Sequence, residues 1–214
     1  MSSLRDWESY FDADTYDPLT MFGVLANRFG LKHDDELGRM EFSATTVRLD
    51  ELKRGLAQVP QTFDADHLKA IHRYLFQDVY DWAGEYRLVD MSKGASDFAA
   101  VKGGIGRYLD EAHQIVAGTH WDWLSQQEFA EESARVFAYV NQAHPFREGN
   151  GRTSKRFMAD VAKMSHFEFN FSRVDKDLWN QASALSGPDL GAHVPHHEEL
   201  ILVFKMATIR RLRA

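Results

Sequence analysis

The stretch His144-Pro145-Phe146-Arg147-Glu148-Gly149-Asn150-Gly151-Arg152, continued by Thr153-Ser154-Lys155-Arg156, constrains this chain more than any other. A residue before proline is pushed out of the helical region, so a helix running into the stretch stops by Ala143 or His144. Two glycines around an asparagine then allow backbone conformations that most side chains forbid. Successive N–H groups in such a turn can converge into an anion-binding nest. The pattern becomes helical again after Gly151, which places the nest at a helix N-terminus, where free N–H groups and the helix dipole favour an anion. Arg152, Lys155 and Arg156 stand at i, i+3 and i+4, on one face of the first turn. Cations there oppose the dipole, and a bound polyphosphate removes the conflict.

The residue types fit that ligand. His144 has the pKa range of a general base, about 6.5 unperturbed. Glu148 is a hard oxygen ligand suited to Mg²⁺, which keeps waters and bridges phosphates. Together they describe transfer to a hydroxyl: deprotonate it, hold the phosphates and neutralise the developing charge. Each part alone also has a plain structural reading, as a solvated histidine, an ordinary turn or a solvated cationic face. Their conjunction at this spacing carries the argument.

His144 to Arg152, HPFREGNGR, resembles the signature of the Fic family, HxFx(D/E)GNGRxxR. The resemblance implies transfer of AMP from ATP to a hydroxyl side chain of a target protein. By position it makes His144 the base, Glu148 the Mg²⁺ ligand, and Gly149, Asn150 and Gly151 the phosphate-binding turn. Arg152 would grip the phosphates and Phe146 anchor the loop. The family's second arginine falls on Lys155, followed by Arg156. Lysine keeps the charge but not the planar fork, and Arg156 is turned about 100° from it.

The chain's 214 residues are 44% hydrophobic, enough for one substantial core. A net charge of −7 argues against a general nucleic-acid binder. With no cysteine there is no disulfide framework. Residues 1–8 do not read as a signal peptide, and no apolar run approaches the ~20 residues of a membrane span. A bacterial cytoplasmic protein without a membrane partner is expected; delivery by a dedicated secretion system would leave no N-terminal trace.

The expected fold is mostly α: a single-domain helical bundle over 1–214 with one small β-hairpin flap. Its parts are an N-terminal helical region at about 1–60, a core at about 61–187 and a closing helix over 190–213. The pattern predicts helices over 18–30 and 34–58, the latter with Leu37, Met40, Phe42, Val47, Leu49, Leu52 and Leu56 inward. Asn27, Glu36-Leu37, Glu41 and Arg48 loosely resemble the N-terminal part of many Fic proteins. Asp64 caps a further helix, Ser125 and Glu128 form a capping box, and a helix over 174–186 ends at Gly187-Pro188. Ser96 reads as the cap of the helix carrying Ile105 and Leu109. His193, His196 and His197 read as solvated loop residues rather than a metal site.

Trp82-Ala83-Gly84-Glu85-Tyr86-Arg87 followed by Ser92-Lys93-Gly94 ends in an alternating stretch that reads as the hairpin. It also resembles the Fic flap, which covers the active site and holds the target segment by strand addition. By that resemblance Lys93 and Gly94 lie beside the nucleotide.

Many Fic proteins are restrained by an inhibitory helix: Ser or Thr, three residues of any kind, then Glu followed by Gly or Asn. In this chain only Glu148 is followed by Gly or Asn, and His144 stands four residues before it. The family pattern then implies a separate antitoxin chain and a toxin acting on bacterial proteins; in related toxins the targets include type II topoisomerases. The alternatives are transfer of UMP or phosphate, and a nucleotide-sensing module whose chemistry is lost.

Overall fold

The computed structural model describes residues 6–93 and 96–211. Its helices are α1 (Asp34–Lys53), α2 (Ala65–Phe76), α3 (Gly104–Gly118), α4 (Gln126–Ala143), α5 (Asn150–Ala162), α6 (Lys176–Leu185) and α7 (Glu198–Ala207). Four short strands join them: β1 (Ser92–Lys93), β2 (Ser96–Asp97), β3 (Phe167–Phe169) and β4 (Thr208–Arg210). No helix among the described residues is long and apolar enough to cross a membrane.

Helix α4 is the central rod. Ser125 accepts the Glu128 N–H at 3.3 Å and Glu128 accepts the Ser125 N–H at 2.8 Å, the capping box read from the sequence. Ala130, Ala134 and Ala138 are fully buried at i, i+4 spacing, so neighbours approach closely; α3, α5 and α7 all pack on α4. Asp64 caps α2 by accepting the His67 N–H at 3.0 Å, and α2 packs on α5. The α4–α5 loop is therefore mounted between two well-anchored helices.

Elsewhere the structure departs from the sequence reading. Residues 18–30 form turns and bridges (Asp17↔Phe22, Phe11↔Leu25) instead of a helix. Asp17 accepts the Leu19 N–H at 2.9 Å, and Asn27 donates to the Leu25 and Leu31 carbonyls at 2.9 and 2.8 Å. Short polar side chains have offered the backbone an alternative to the helix ladder. Helix α1 stops at Lys53, and its buried face is Leu37, Glu41, Thr45 and Leu52, leaving Met40, Phe42, Val47 and Leu56 exposed.

The hairpin pairs Ser92 with Asp97 and Lys93 with Ser96. Gly94 lies outside the described residues. Ser96 is a strand residue, and α3 begins at Gly104 with Gly103 as its cap in the left-handed region, φ 80°. The closing helix is shorter than expected. After Ala207 the chain turns into β4, which pairs antiparallel with β3 as a second two-stranded sheet. β-branched Thr208 and Ile209 suit a strand, and the Thr208 hydroxyl donates to the Phe204 carbonyl at 2.7 Å, satisfying the helix end. His193 packs against Tyr108, ring centroids 4.3 Å apart, instead of standing in solvent.

Arg156 points into the core, away from Arg152. It binds the fully buried Asp160 at 2.6 and 3.1 Å. Lys163 at 2.7 Å and Gln61 at 3.2 Å also reach this carboxylate, and His67 Nε2 lies 3.4 Å away. Burial raises the Asp160 pKa, but His67, Lys163 and Arg156 outweigh it and hold the carboxyl below its ordinary value. A depressed carboxyl stabilises the fold above the unfolded-state pKa, and that stability is lost as pH falls through the folded-state value. Asp160→Ala leaves the buried Arg156 guanidinium uncompensated and is expected to cost about 3–5 kcal/mol. Denaturant melts at neutral pH read this, and the gap between wild type and variant narrows in acid.

Candidate active site

Helix α4 ends at Ala143, and His144 enters the left-handed region at φ 38°, ψ 57°. Three groups fix it there. The Phe98 ring, just after β2, stacks on the imidazole at 3.7 Å and 10°. The His144 carbonyl accepts Arg87 Nε at 2.9 Å. The Arg87 N–H donates to the Pro145 carbonyl at 2.8 Å.

Arg87 is fully buried, and its other donors reach the Val89 carbonyl at 2.7 Å and the Ala99 carbonyl. Burial lowers its pKa, yet a guanidinium stays charged in proteins, so backbone carbonyls must solvate it. One buried cation thus ties both roots of the hairpin to the loop. Gln142 adds a second tie through its side chain to the Asp97 carbonyl, 2.8 Å, and its own carbonyl to the Ala99 N–H, 2.9 Å.

Phe146 is fully buried, as expected of the anchor, and stacks on His72 at 3.9 Å. Burial drives the His72 pKa down to about 3. The neutral ring accepts the Gly84 N–H at Nδ1, 2.8 Å, which leaves Nε2–H to donate to the Glu148 carbonyl at 3.0 Å. The Asn150 side chain brackets Phe146, accepting its N–H at 2.9 Å and donating to its carbonyl at 2.7 Å. The Asn150 amide is therefore spent on shaping the loop. Its backbone N–H opens α5, two residues earlier than the sequence suggested, with Gly149 as the cap at φ 80°. The first N–H groups of a helix have no intrahelical partner.

His144, Glu148, Gly149, Asn150 and Gly151 line one cavity of about 430 Å³ with Ser92 and Phe98 of the hairpin region. Asn141, Ser154, Trp179, Asn180 and Ser183 also line it, and local sequence pattern does not single them out. Trp179 and Ser183, one turn apart on α6, were findable as a helix face, but nothing local shows that the face meets α4. Glu148 Oε1 accepts the Gly149 N–H at 2.8 Å. Among the described residues no cluster of three or more His, Cys, Asp or Glu could hold a metal unaided. A single carboxylate beside an anion-receiving helix end fits Mg²⁺, which takes its remaining oxygens from phosphate and water.

The expected cations diverge. Arg152 binds Glu41 and the Thr45 hydroxyl, the latter at 3.0 Å, lies 3.6 Å from Glu148, and sits 4.7 Å above the Phe76 ring. Glu41 also accepts the Tyr80 hydroxyl, and burial beside this carboxylate raises the Tyr80 pKa. Lys155 lies over Trp179 at 4.5 Å and Phe171 at 5.4 Å, its pKa lowered by burial. Arg152, Lys155 and Arg156 thus do not share one face. Glu41→Ala is expected to cost about 2 kcal/mol, below the ~3–5 kcal/mol of a fully buried pair because Arg152 is partly exposed. Denaturant melts of the variant read this loss.

Residues 62–162 match the sequence profile of the Fic/DOC family. The chain is 33% identical over 167 residues to the probable protein adenylyltransferase y4lH of Sinorhizobium fredii, covering 74% of this chain and 82% of that protein. It is 36% identical over 181 residues to the protein adenylyltransferase VbhT of Bartonella schoenbuchensis. That match takes in 84% of this chain but spans only 37% of VbhT. The N-terminal Fic domain of a putative cell filamentation protein from Bartonella quintana, crystallised with ADP, superposes with a TM-score of 0.79 at 27% identity, over 94% of this chain and 95% of that one. The identity to y4lH over most of its length and the shared course of the backbone show that the chain belongs to the Fic/DOC family.

Proposed function

We propose that this protein is a protein adenylyltransferase, moving AMP from ATP to a hydroxyl side chain of a target protein. The observation that carries the reading is one cavity holding His144, Glu148 and the N-terminus of α5 together, closed on one side by the hairpin region. The phosphates are received by the unpartnered N–H groups at the start of α5. His144 takes the proton from the target hydroxyl as its oxygen attacks the α-phosphorus. The bond from that phosphorus to the bridging oxygen breaks, and pyrophosphate leaves. Glu148 would hold Mg²⁺, which neutralises phosphate charge when bound. Arg87, Gln142 and Phe98 keep the imidazole and the hairpin in fixed relation. Relatives named protein adenylyltransferases support the reading.

The finer parts of the proposal are a separate antitoxin chain, a type II topoisomerase subunit as target and action in the bacterial cytoplasm. Growth arrest on expression of the chain alone, relieved in His144→Ala, is the test of the toxin role; harmless wild-type expression removes it. The chemistry is tested with labelled nucleotides and bacterial lysate. Label from the α-phosphate of ATP should enter protein, and label from the γ-phosphate should not. Incorporation of the γ-label, or of UTP label in preference to ATP, would replace AMP by phosphate or UMP. A second reading, nucleotide sensing without transfer, is favoured by one observation: Arg152 and Lys155 are already engaged with Glu41 and Trp179. It predicts ATP binding with no label in protein.

A further inference from the structure

Arg147 stands in the motif between two residues with evident roles, and no role for it follows from the residue pattern. In the structure its guanidinium rests against three aromatic rings of the N-terminal segment: Trp7 at 4.6 Å, Phe11 at 5.4 Å and Tyr10 at 5.7 Å. These rings are themselves fixed. Trp7 meets Phe11 edge-on at 5.3 Å, and Phe11 stacks on Tyr16 at 5.4 Å. The Tyr10 hydroxyl accepts the Leu88 N–H at 2.7 Å, which ties the cluster to the root of the hairpin. Trp7 Nε1–H donates to the Met21 carbonyl at 2.7 Å.

Arg147 is also one of the residues that line the cavity, with Glu148, Met91 and Ser92. Its side chain makes no hydrogen bond or ion pair among the described residues, and its Nε is buried without a partner. The other cations of the motif are spent on Glu41, Trp179 and Asp160. Burial lowers the Arg147 pKa, and the Glu148 charge partly opposes this. Burying a cation without an acceptor is costly; ring faces recover part of that, and they also hold the side chain still. A preorganised planar fork with unspent donors, on a residue that lines the cavity, matches the two oxygens of a phosphate.

We propose that Arg147 is a phosphate-binding residue of this cavity, held in place by the aromatic segment around Trp7, Tyr10 and Phe11. The segment then belongs to the binding site although it lies far from the motif in sequence. The inference rests on the nucleotide reading above and adds the contact that Arg152 and Lys155 do not supply in this arrangement.

The test is a ligand series. Titrate the full chain with adenosine, AMP, ADP and ATP by calorimetry, alongside Arg147→Met, Arg147→Lys and Trp7→Leu, with melts of each. Methionine keeps an apolar stem for the aromatic cage and removes the fork. Arg147→Met is expected to bind ADP and ATP about tenfold to a hundredfold more weakly, with adenosine unchanged. Arg147→Lys falls between, and Trp7→Leu shows the same selective loss in weaker form. A residue that only packs would move adenosine and ATP together, or neither; either result overturns the assignment. Should Arg147→Met fail to fold, Arg147→Lys decides: unchanged ATP affinity overturns the assignment, and a selective loss upholds it. If the wild-type chain binds no adenine nucleotide, the functional reading itself fails, a result distinct from unchanged ATP binding in the variants of a competent wild type.

Discussion

Gly149→Ala is expected to destabilise the protein by about 3 kcal/mol or more and to abolish nucleotide binding. Two costs add. Gly149 sits at φ 80°, where an L side chain pays about 1–2 kcal/mol. Its added Cβ would also stand 2.2 Å from Phe76 Cζ and 2.4 Å from Cε2. That ring cannot retreat: it is fully buried, with the His72 ring 4.6 Å away and the Arg152 guanidinium 4.7 Å above it. Overpacking of this kind typically costs about 1–3 kcal/mol, and relief by loop movement would spoil the start of α5. Gly151→Ala is the control. No atom lies within 4 Å of its would-be Cβ and its φ is helical, so the variant should gain up to about 1 kcal/mol of stability. Gly151 lines the cavity, however, so the added methyl should still weaken nucleotide binding. Guanidinium melts and ATP titrations of the pair separate folding from recognition; equal stability of the two variants would contradict the geometry.

His144→Ala is expected to lower the transfer rate by about 10²–10⁴ while leaving ATP affinity nearly unchanged. The imidazole is the group in the cavity suited to accept a proton near neutral pH, and the phosphates are held by the backbone of α5, not by this ring. The fold should tolerate the change at a small cost: histidine enters the left-handed backbone at φ 38° more readily than alanine, but the Arg87 bond is made to the carbonyl, not the ring. The variant also loses the stack with Phe98, so a modest loosening of the hairpin is expected, readable by hydrogen exchange at Phe98 and Ala99. Single-turnover kinetics with saturating ATP isolate the chemical step; a variant with full rate would remove His144 from its role.

What was legible in the sequence was local. The Ser125 capping box, the Asp64 cap, the end of α4 before Pro145 and the buried Phe157, Met158 and Val161 of α5 all follow from neighbours within a few positions. The cavity-lining part of the motif was legible for the same reason, because the turn and both flanking helices are contiguous. What failed depended on partners distant in sequence. A helical wheel puts Arg152, Lys155 and Arg156 together, but Glu41 from α1 and Trp179 from α6 draw the first two apart, while Arg156 turns inward to Asp160, a local i+4 partner whose burial only the packed fold decides. Periodicity misread α1 because its inward face carries Glu41 and Thr45, turned toward Arg152 and Tyr80. Arg87 and His72 escaped notice because each acts on a loop carbonyl 57 or 76 residues away. The second sheet was hidden in an apolar run that reads equally as helix until Thr208 turns back onto its own helix end.

The central claim, that this loop transfers AMP with His144 as base, is tested most directly by intact-protein mass spectrometry. The purified chain and His144→Ala are incubated with ATP and Mg²⁺, with and without bacterial lysate. The account predicts addition of one adenylyl group to a lysate protein or to the chain itself, absent with His144→Ala. ATP binding with no adduct, or an adduct that persists in His144→Ala, would contradict it.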